Sequence, residues 1–171
     1  MDSRLCVVAF TGALILAIPS QVVAQPRPGP AIDLFAGWAG FADDGIVSET
    51  PFGAAARWYV TPRLSVGPEF VHIAGESHSH QVLTGNLTFD FVSPTGPGQV
   101  VPFVVVGAGL FRTSDSFPQG SFASAEGAFT AGGGIRYVAT RRVSVGIDAR
   151  AGWEPHIRVT GLVSIRLGSS P

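Results

Sequence analysis

Period-two alternation over residues 133–153, GGIRYVATRRVSVGIDARAGW, limits what this chain can become more than any other stretch. Val143, Val145, Ile147, Ala149 and Ala151 alternate with Ser144, Gly146, Asp148, Arg150 and Gly152, the repeat of a β-strand whose side chains point to opposite faces. Ahead of the polar turn, Phe129, Ala131, Gly133, Ile135 and Tyr137 alternate in the same way with Ala128, Thr130, Gly132, Gly134 and Arg136. A face turned to water would tolerate bulky, Lys-rich side chains, yet the polar face here holds glycines, small hydroxyls and isolated Arg and Asp. Such a face suits a crowded interior. The stretch is therefore expected to form two strands of a closed barrel, apolar side to lipid and polar side to the lumen.

The N-terminus sets the compartment. Arg4 precedes the apolar run LCVVAFTGALILAIP, and Val22-Val23-Ala24 offers the small residues a signal peptidase reads, so residues 1–24 are expected to be a secretory signal peptide. The only cysteine, Cys6, leaves with it, and no disulfide then supports the mature chain. Residues 25–30, QPRPGP, read as a proline-rich lead-in, 31–168 as the barrel domain and 169–171 as a C-terminal tail. Roughly 145 mature residues make one domain. Past the leader no run approaches the ~18 apolar residues of a membrane helix. With no lysine and a formal net charge of -1, the chain lacks the basic patch that a nucleic-acid partner demands.

The same alternation recurs along the chain. Strands are expected at 31–41, 52–60, 64–74, 81–91 and 102–112, in the two arms of the opening hairpin, and at 158–167. Pro68 removes a ladder donor, which predicts a bulge in the third strand. Turns near 61, 95 and 140 fall on one side of the sheet, and loops near 45, 77, 117 and 155 on the other, with TSDSFPQGSFAS the longest. RWYVTPRLSVG at 57–67 echoes RYVATRRVSVG at 136–146, so two hairpins four strands apart share one pattern. Short periplasmic turns and longer outer loops, with both termini periplasmic, are the arrangement of an outer-membrane barrel.

On the leader, the PFVVVGAGLFR strand, the GGIRYVATRRVSVGIDARAGW hairpin and the closing GLVSIRL, the chain resembles the small eight-stranded outer-membrane β-barrels. That group includes the OmpA-type transmembrane domain and the OmpW-like and opacity-type proteins. The resemblance implies an all-β, eight-stranded antiparallel up-and-down transmembrane β-barrel in the bacterial outer membrane, and no catalytic motif. It also implies a terminal aromatic residue, whereas this sequence ends Leu167-Gly168-Ser169-Ser170-Pro171, the mark of a divergent insertion signal.

The strand parity assigns an inward set: Asp33, Arg57, Glu69, Asp90, Arg136, Asp148, Arg150, Arg158 and Arg166, with Arg112 near a rim. An eight-stranded barrel is just wide enough for side chains to fill, so these charges are expected to pair as a structural plug. A narrow channel for small solutes or ions is the alternative, and a lipid A-modifying enzyme the third. Asp43, Asp44, Glu49, Glu76, Asp115, Glu126 and Glu154 are expected in acidic outer loops as a solvated rim, with divalent cations bridging them to lipopolysaccharide as the alternative. Trp58, Tyr59 and Tyr137 near the turns, and Trp38, Phe41, Phe52, Phe111 and Trp153 near the loops, are expected to form aromatic girdles. Arg63, Arg141 and Arg142 would touch the periplasmic surface.

His78-Ser79-His80, with His72 and His156, provides imidazoles without a third ligand at fixed spacing, so neither a metal nor any other cofactor is assigned. No His-x-Ser strand motif is present for a lipid A deacylase. Gly107-Ala108-Gly109 and Gly132-Gly133-Gly134 lack the following helix of a phosphate loop. The expected protein is a non-enzymatic, monomeric barrel whose main partner is the outer-membrane bilayer.

Overall fold

The computed structural model describes residues 27–43, 45–75, 78–117, 120–153 and 156–168. The expected leader at 1–24 and tail at 169–171 lie outside them. Eight strands follow one another in sequence order: β1 (Ala31–Asp43), β2 (Gly45–Tyr59), β3 (Leu64–Ala74), β4 (His78–Asp90), β5 (Val100–Phe117), β6 (Gly120–Val138), β7 (Val143–Gly152) and β8 (His156–Arg166). Each pairs antiparallel with the next, and β1 closes on β8 from Ala31↔Arg166 to Phe41↔His156. The result is an up-and-down barrel without a free sheet edge along that closed section.

Two turns fix the register by the same device. Thr61 Oγ1 accepts the backbone N–H groups of Arg63 (3.3 Å) and Leu64 (2.9 Å), and Thr140 Oγ1 accepts those of Arg142 (3.2 Å) and Val143 (2.9 Å). The repeated sequence thus becomes a repeated structure. Arg57 and Arg136 stand four residues before these threonines, and Glu69 and Asp148 eight residues after them. All four are buried inside the barrel.

Burial is inverted relative to a soluble barrel. Asp33, Arg57, Glu69, Asp90, Arg136, Asp148 and Arg158 are buried, while Leu34, Phe70, Leu83, Val106, Phe129, Ile147 and Val163 are about half exposed on the outer wall. The lumen is not uniformly polar, however. Phe35, Val71, Ile73, Val82, Phe103, Val105 and Leu162 form an apolar cluster within it. On β5 this settles the sides: Phe103, Val105 and Phe111 point in, and Val104, Val106 and Leu110 point out.

Three expectations need correction. The segments read as loops at 42–50 and 113–124 are largely strand: β2 begins at Gly45, and β5 pairs β6 continuously to Phe117↔Gly120. Beyond the barrel rim neither face of a strand is screened from water, so backbone pairing continues where hydrophobic alternation has stopped. The loop end is therefore built from strand extensions, and the longest connection between described strands, residues 91–99, lies at the turn end. Finally, Pro68 makes no bulge. The β2–β3 ladder passes from Ala55↔Glu69 to Trp58↔Val66 in equal steps on both strands, so Pro68 costs ladder bonds without shifting register.

Candidate functional site

Inward parity brings the predicted charges together in two groups, each with two cations and two anions. Nearer the turns, Arg57 Nε donates to Asp33 Oδ2 (2.6 Å) and Arg57 Nη2 to Asp33 Oδ1 (3.0 Å). Arg57 also reaches Ser164 Oγ (2.8 Å) and Tyr59 Oη (2.8 Å), and Tyr59 donates to Asp90 Oδ2 (2.8 Å). Arg136 Nη2 completes the chain on Asp90 Oδ1 (2.8 Å), its guanidinium 4.1 Å over the Phe103 ring. Arg57 and Arg136 thus balance Asp33 and Asp90.

Deeper toward the loop end, Glu69 is the hub. Its carboxylate takes Arg158 Nη2 on Oε1 (2.7 Å), and Arg150 Nη1 (2.8 Å) and Asn86 Nδ2 (3.0 Å) on Oε2. Arg150 also pairs with Asp148 Oδ2 (2.8 Å), whose other oxygen accepts the Thr160 hydroxyl (2.5 Å). The Arg158 guanidinium lies 5.0 Å from the Phe35 ring centre. Bidentate and shared contacts of this kind hold buried charge because every carboxylate oxygen has a donor. A cavity of about 20 Å³ remains between the two groups, and one of about 10 Å³ between the first group and Arg166 at the turn end. The first is room for about one water molecule.

Arg166 is only half-buried and joins neither group; it closes the turn end by donating to the carbonyl oxygens of Pro94 (2.7 Å) and Arg141 (3.3 Å). Arg112 is a correction: it stands on the outward side of β5, exposed, because it shares the parity of Val106 and Leu110.

A third feature caps the lumen at the loop end, and the sequence reading missed it. Phe41 packs between His80 and His156, with ring centres 5.0 and 4.9 Å away, and Phe111 lies 5.1 and 6.3 Å from the same imidazoles. The four rings alternate His-Phe-His-Phe across the mouth. His80 Nδ1 lies 3.1 Å from Thr113 Oγ1, and His156 Nδ1 lies 2.8 Å from the Trp153 carbonyl oxygen. Glu49, expected in an acidic outer loop, is instead buried on β2, its Oε1 3.8 Å from His80 Nε2. Phe41, Phe111 and Tyr59 likewise leave the expected girdles for the interior. Counting by twos from Asp90 reaches His80, from Arg158 reaches His156, and from Arg57 reaches Glu49, so strand parity alone could have found the cap.

Gly152 makes room for it. A Cβ there would clash with His156 Cε1, so Gly152→Ala is expected to displace the imidazole from Phe41 and cost about 1–3 kcal/mol in denaturant unfolding.

Of the other acidic positions, Glu126 is exposed on β6, where it accepts Trp153 Nε1 at 3.4 Å. Asp43 ends β1 and Asp115 lies near the far end of β5, while Asp44, Glu76 and Glu154 lie outside the described residues. Trp38, Phe52, Trp58, Tyr137 and Trp153 are exposed on the outer wall, as girdle residues should be. Among the described residues no group of three or more His, Cys, Asp or Glu is placed to hold a metal ion.

No family model matches the sequence, and no curated protein matches it either. Solved structures match its fold. The N-terminal β-barrel domain of Pseudomonas aeruginosa OprF superposes with a TM-score of 0.69 at 13% identity, covering 84% of this chain and 100% of that one. Neisserial surface protein A (NspA) gives 0.71 at 14% identity over 81% of this chain and 97% of its own. The attachment invasion locus protein Ail of Yersinia pestis gives 0.57 at 13% identity over 82% and 98%. The resemblance to small eight-stranded outer-membrane barrels drawn from the sequence is thereby shown at the level of the fold.

Proposed function

We propose that this protein spans the bacterial outer membrane as a monomeric barrel closed by its own side chains, serving envelope structure or surface interaction rather than catalysis or conduction. The filled lumen carries this reading: two mutually neutralised charge groups leave a cavity of only about 20 Å³ between them, and only about 10 Å³ remains between the first group and Arg166. An ion would have to strip buried arginines and carboxylates of their partners to pass. Membrane location is supported by large apolar side chains exposed on every strand, from Leu34 on β1 to Val163 on β8, a surface far beyond the patches soluble monomers show. The expected leader at 1–24, followed by the lead-in at 25–30 and the barrel domain, supports export. The acids expected from the sequence at the loop end, of which Glu126 is exposed, are what supports contact with lipopolysaccharide through divalent cations.

Fractionation is expected to place the folded chain with outer membranes, and planar bilayers containing it are expected to show no steady conductance. A steady current that Arg136→Ala or Asp148→Ala altered would favour the channel instead. A periplasmic soluble product would reject the barrel's placement in lipid.

A further inference from the structure

We infer that the turn end of the barrel docks on anionic phospholipid headgroups of the leaflet around it, an inference that rests on the bilayer placement proposed above. Exposed charge among the described residues of the turn end is of one sign. At the turn end Arg27, Arg63, Arg141 and Arg142 are all exposed, and among the described residues no hydrogen bond or ion pair engages their guanidinium groups. Arg166 beside them meets only carbonyl oxygens. The acids nearest this end, Asp33 and Asp90, are buried and already held by Arg57 and Arg136. Among the described residues, the turns therefore present positive charge with no exposed carboxylate to offset it.

The distribution of this charge selects the occupant. Arg63 and Arg142 sit on hairpins four strands apart in the closed order, so they face opposite sides of the barrel, with Arg27 ahead of β1. A compact partner seated on one side would leave part of this ring unused. A planar layer of phosphodiesters surrounding the wall meets all of it. Depth agrees: Trp58, Val60, Phe91, Val100 and Tyr137 are exposed on the wall next to the turns, which puts the guanidinium groups at the headgroup level above an apolar stem. The threonine-held turns keep these arginines on ordered backbone. Each such charge near an anionic leaflet strengthens association about fivefold.

Trp58 is the tryptophan at this end, with Trp38 and Trp153 nearer the other, so Trp38→Phe/Trp153→Phe leaves one reporter beside the ring. In phosphatidylcholine vesicles doped with brominated phosphatidylglycerol, Trp58 emission is expected to be quenched several-fold more strongly than with as much brominated phosphatidylcholine. Added salt should shrink the excess. Arg63→Gln/Arg141→Gln/Arg142→Gln, which leaves Arg27 alone of the exposed ring, should cut the excess several-fold while keeping the turn bonds, to which these arginines contribute only backbone atoms. Equal quenching by the two lipids, or an excess undiminished by the triple substitution, overturns the docking surface but leaves insertion intact. Absence of quenching by either lipid overturns insertion and the docking surface together.

Discussion

Glu69→Ala is expected to lower the unfolding free energy by about 3–5 kcal/mol, the cost of leaving a buried ionic partner uncompensated. Glu69 is 2% exposed and is the ion-pair partner of both Arg150 and Arg158. Arg150 keeps Asp148 at 2.8 Å after the change, so the stranded charge is that of Arg158, left with the Phe35 ring alone. Adding Arg158→Ala should then recover part of the loss, a coupling visible only in the double-mutant cycle. Urea unfolding of barrels folded into vesicles measures both, with the exposed Glu126→Ala expected within about 0.5 kcal/mol of the parent. A loss at Glu69 no larger than at Glu126 would mean the lumen is wet and its charges solvated.

Ile147→Arg is expected to cost about 2–4 kcal/mol, because Ile147 lies midway along β7 on the outward face, 49% exposed, where the proposed bilayer placement puts hydrocarbon. The size of this effect separates the two environments. On a barrel standing in water, replacing an exposed isoleucine by arginine would change stability by no more than about 0.5 kcal/mol. The same unfolding assay reads it, and Val145→Arg on the same face should behave alike.

How much of this was legible in the sequence follows from what alternation can and cannot encode. Within the apolar band one face must avoid water and the other must fill a narrow bore, so Val145 and Ile147 against Asp148 and Arg150 fixed both strand and side. Eight of the nine predicted lumen charges accordingly lie in the two neutral groups. Arg166 departs because the bore opens at the end of β8, where carbonyl oxygens replace carboxylates as its partners. Toward the loop end the lipid constraint lapses. There Glu49 and the stretch 113–124 look like loop by composition, although backbone pairing extends β2, β5 and β6 through them. The aromatic residues failed for another reason. Phe41, Phe111 and Tyr59 were expected at the girdles from their distance to the turns, but parity and not height decides whether a ring meets lipid or lumen.

Pairing partners were the least legible part. Nothing in the spacing of Arg57 says that its bond to Tyr59 on the same strand will run on to Asp90 and Arg136, because those further contacts join strands distant in sequence. The repeated hairpin came closest. Arg57 with Glu69 and Arg136 with Asp148 sit at matching offsets from the two capped turns, which places two cations and two anions from opposite walls in one lumen.

Within the apolar band the charged side chains look inward, and photolabelling from the hydrocarbon tests this placement without any substitution. With the barrel in vesicles carrying a diazirine on the lipid acyl chain, peptide mapping of β7 is expected to find adducts at Val145 and Ile147 and none at Asp148 or Arg150. Adducts on Asp148 and Arg150 with Val145 and Ile147 spared would contradict it.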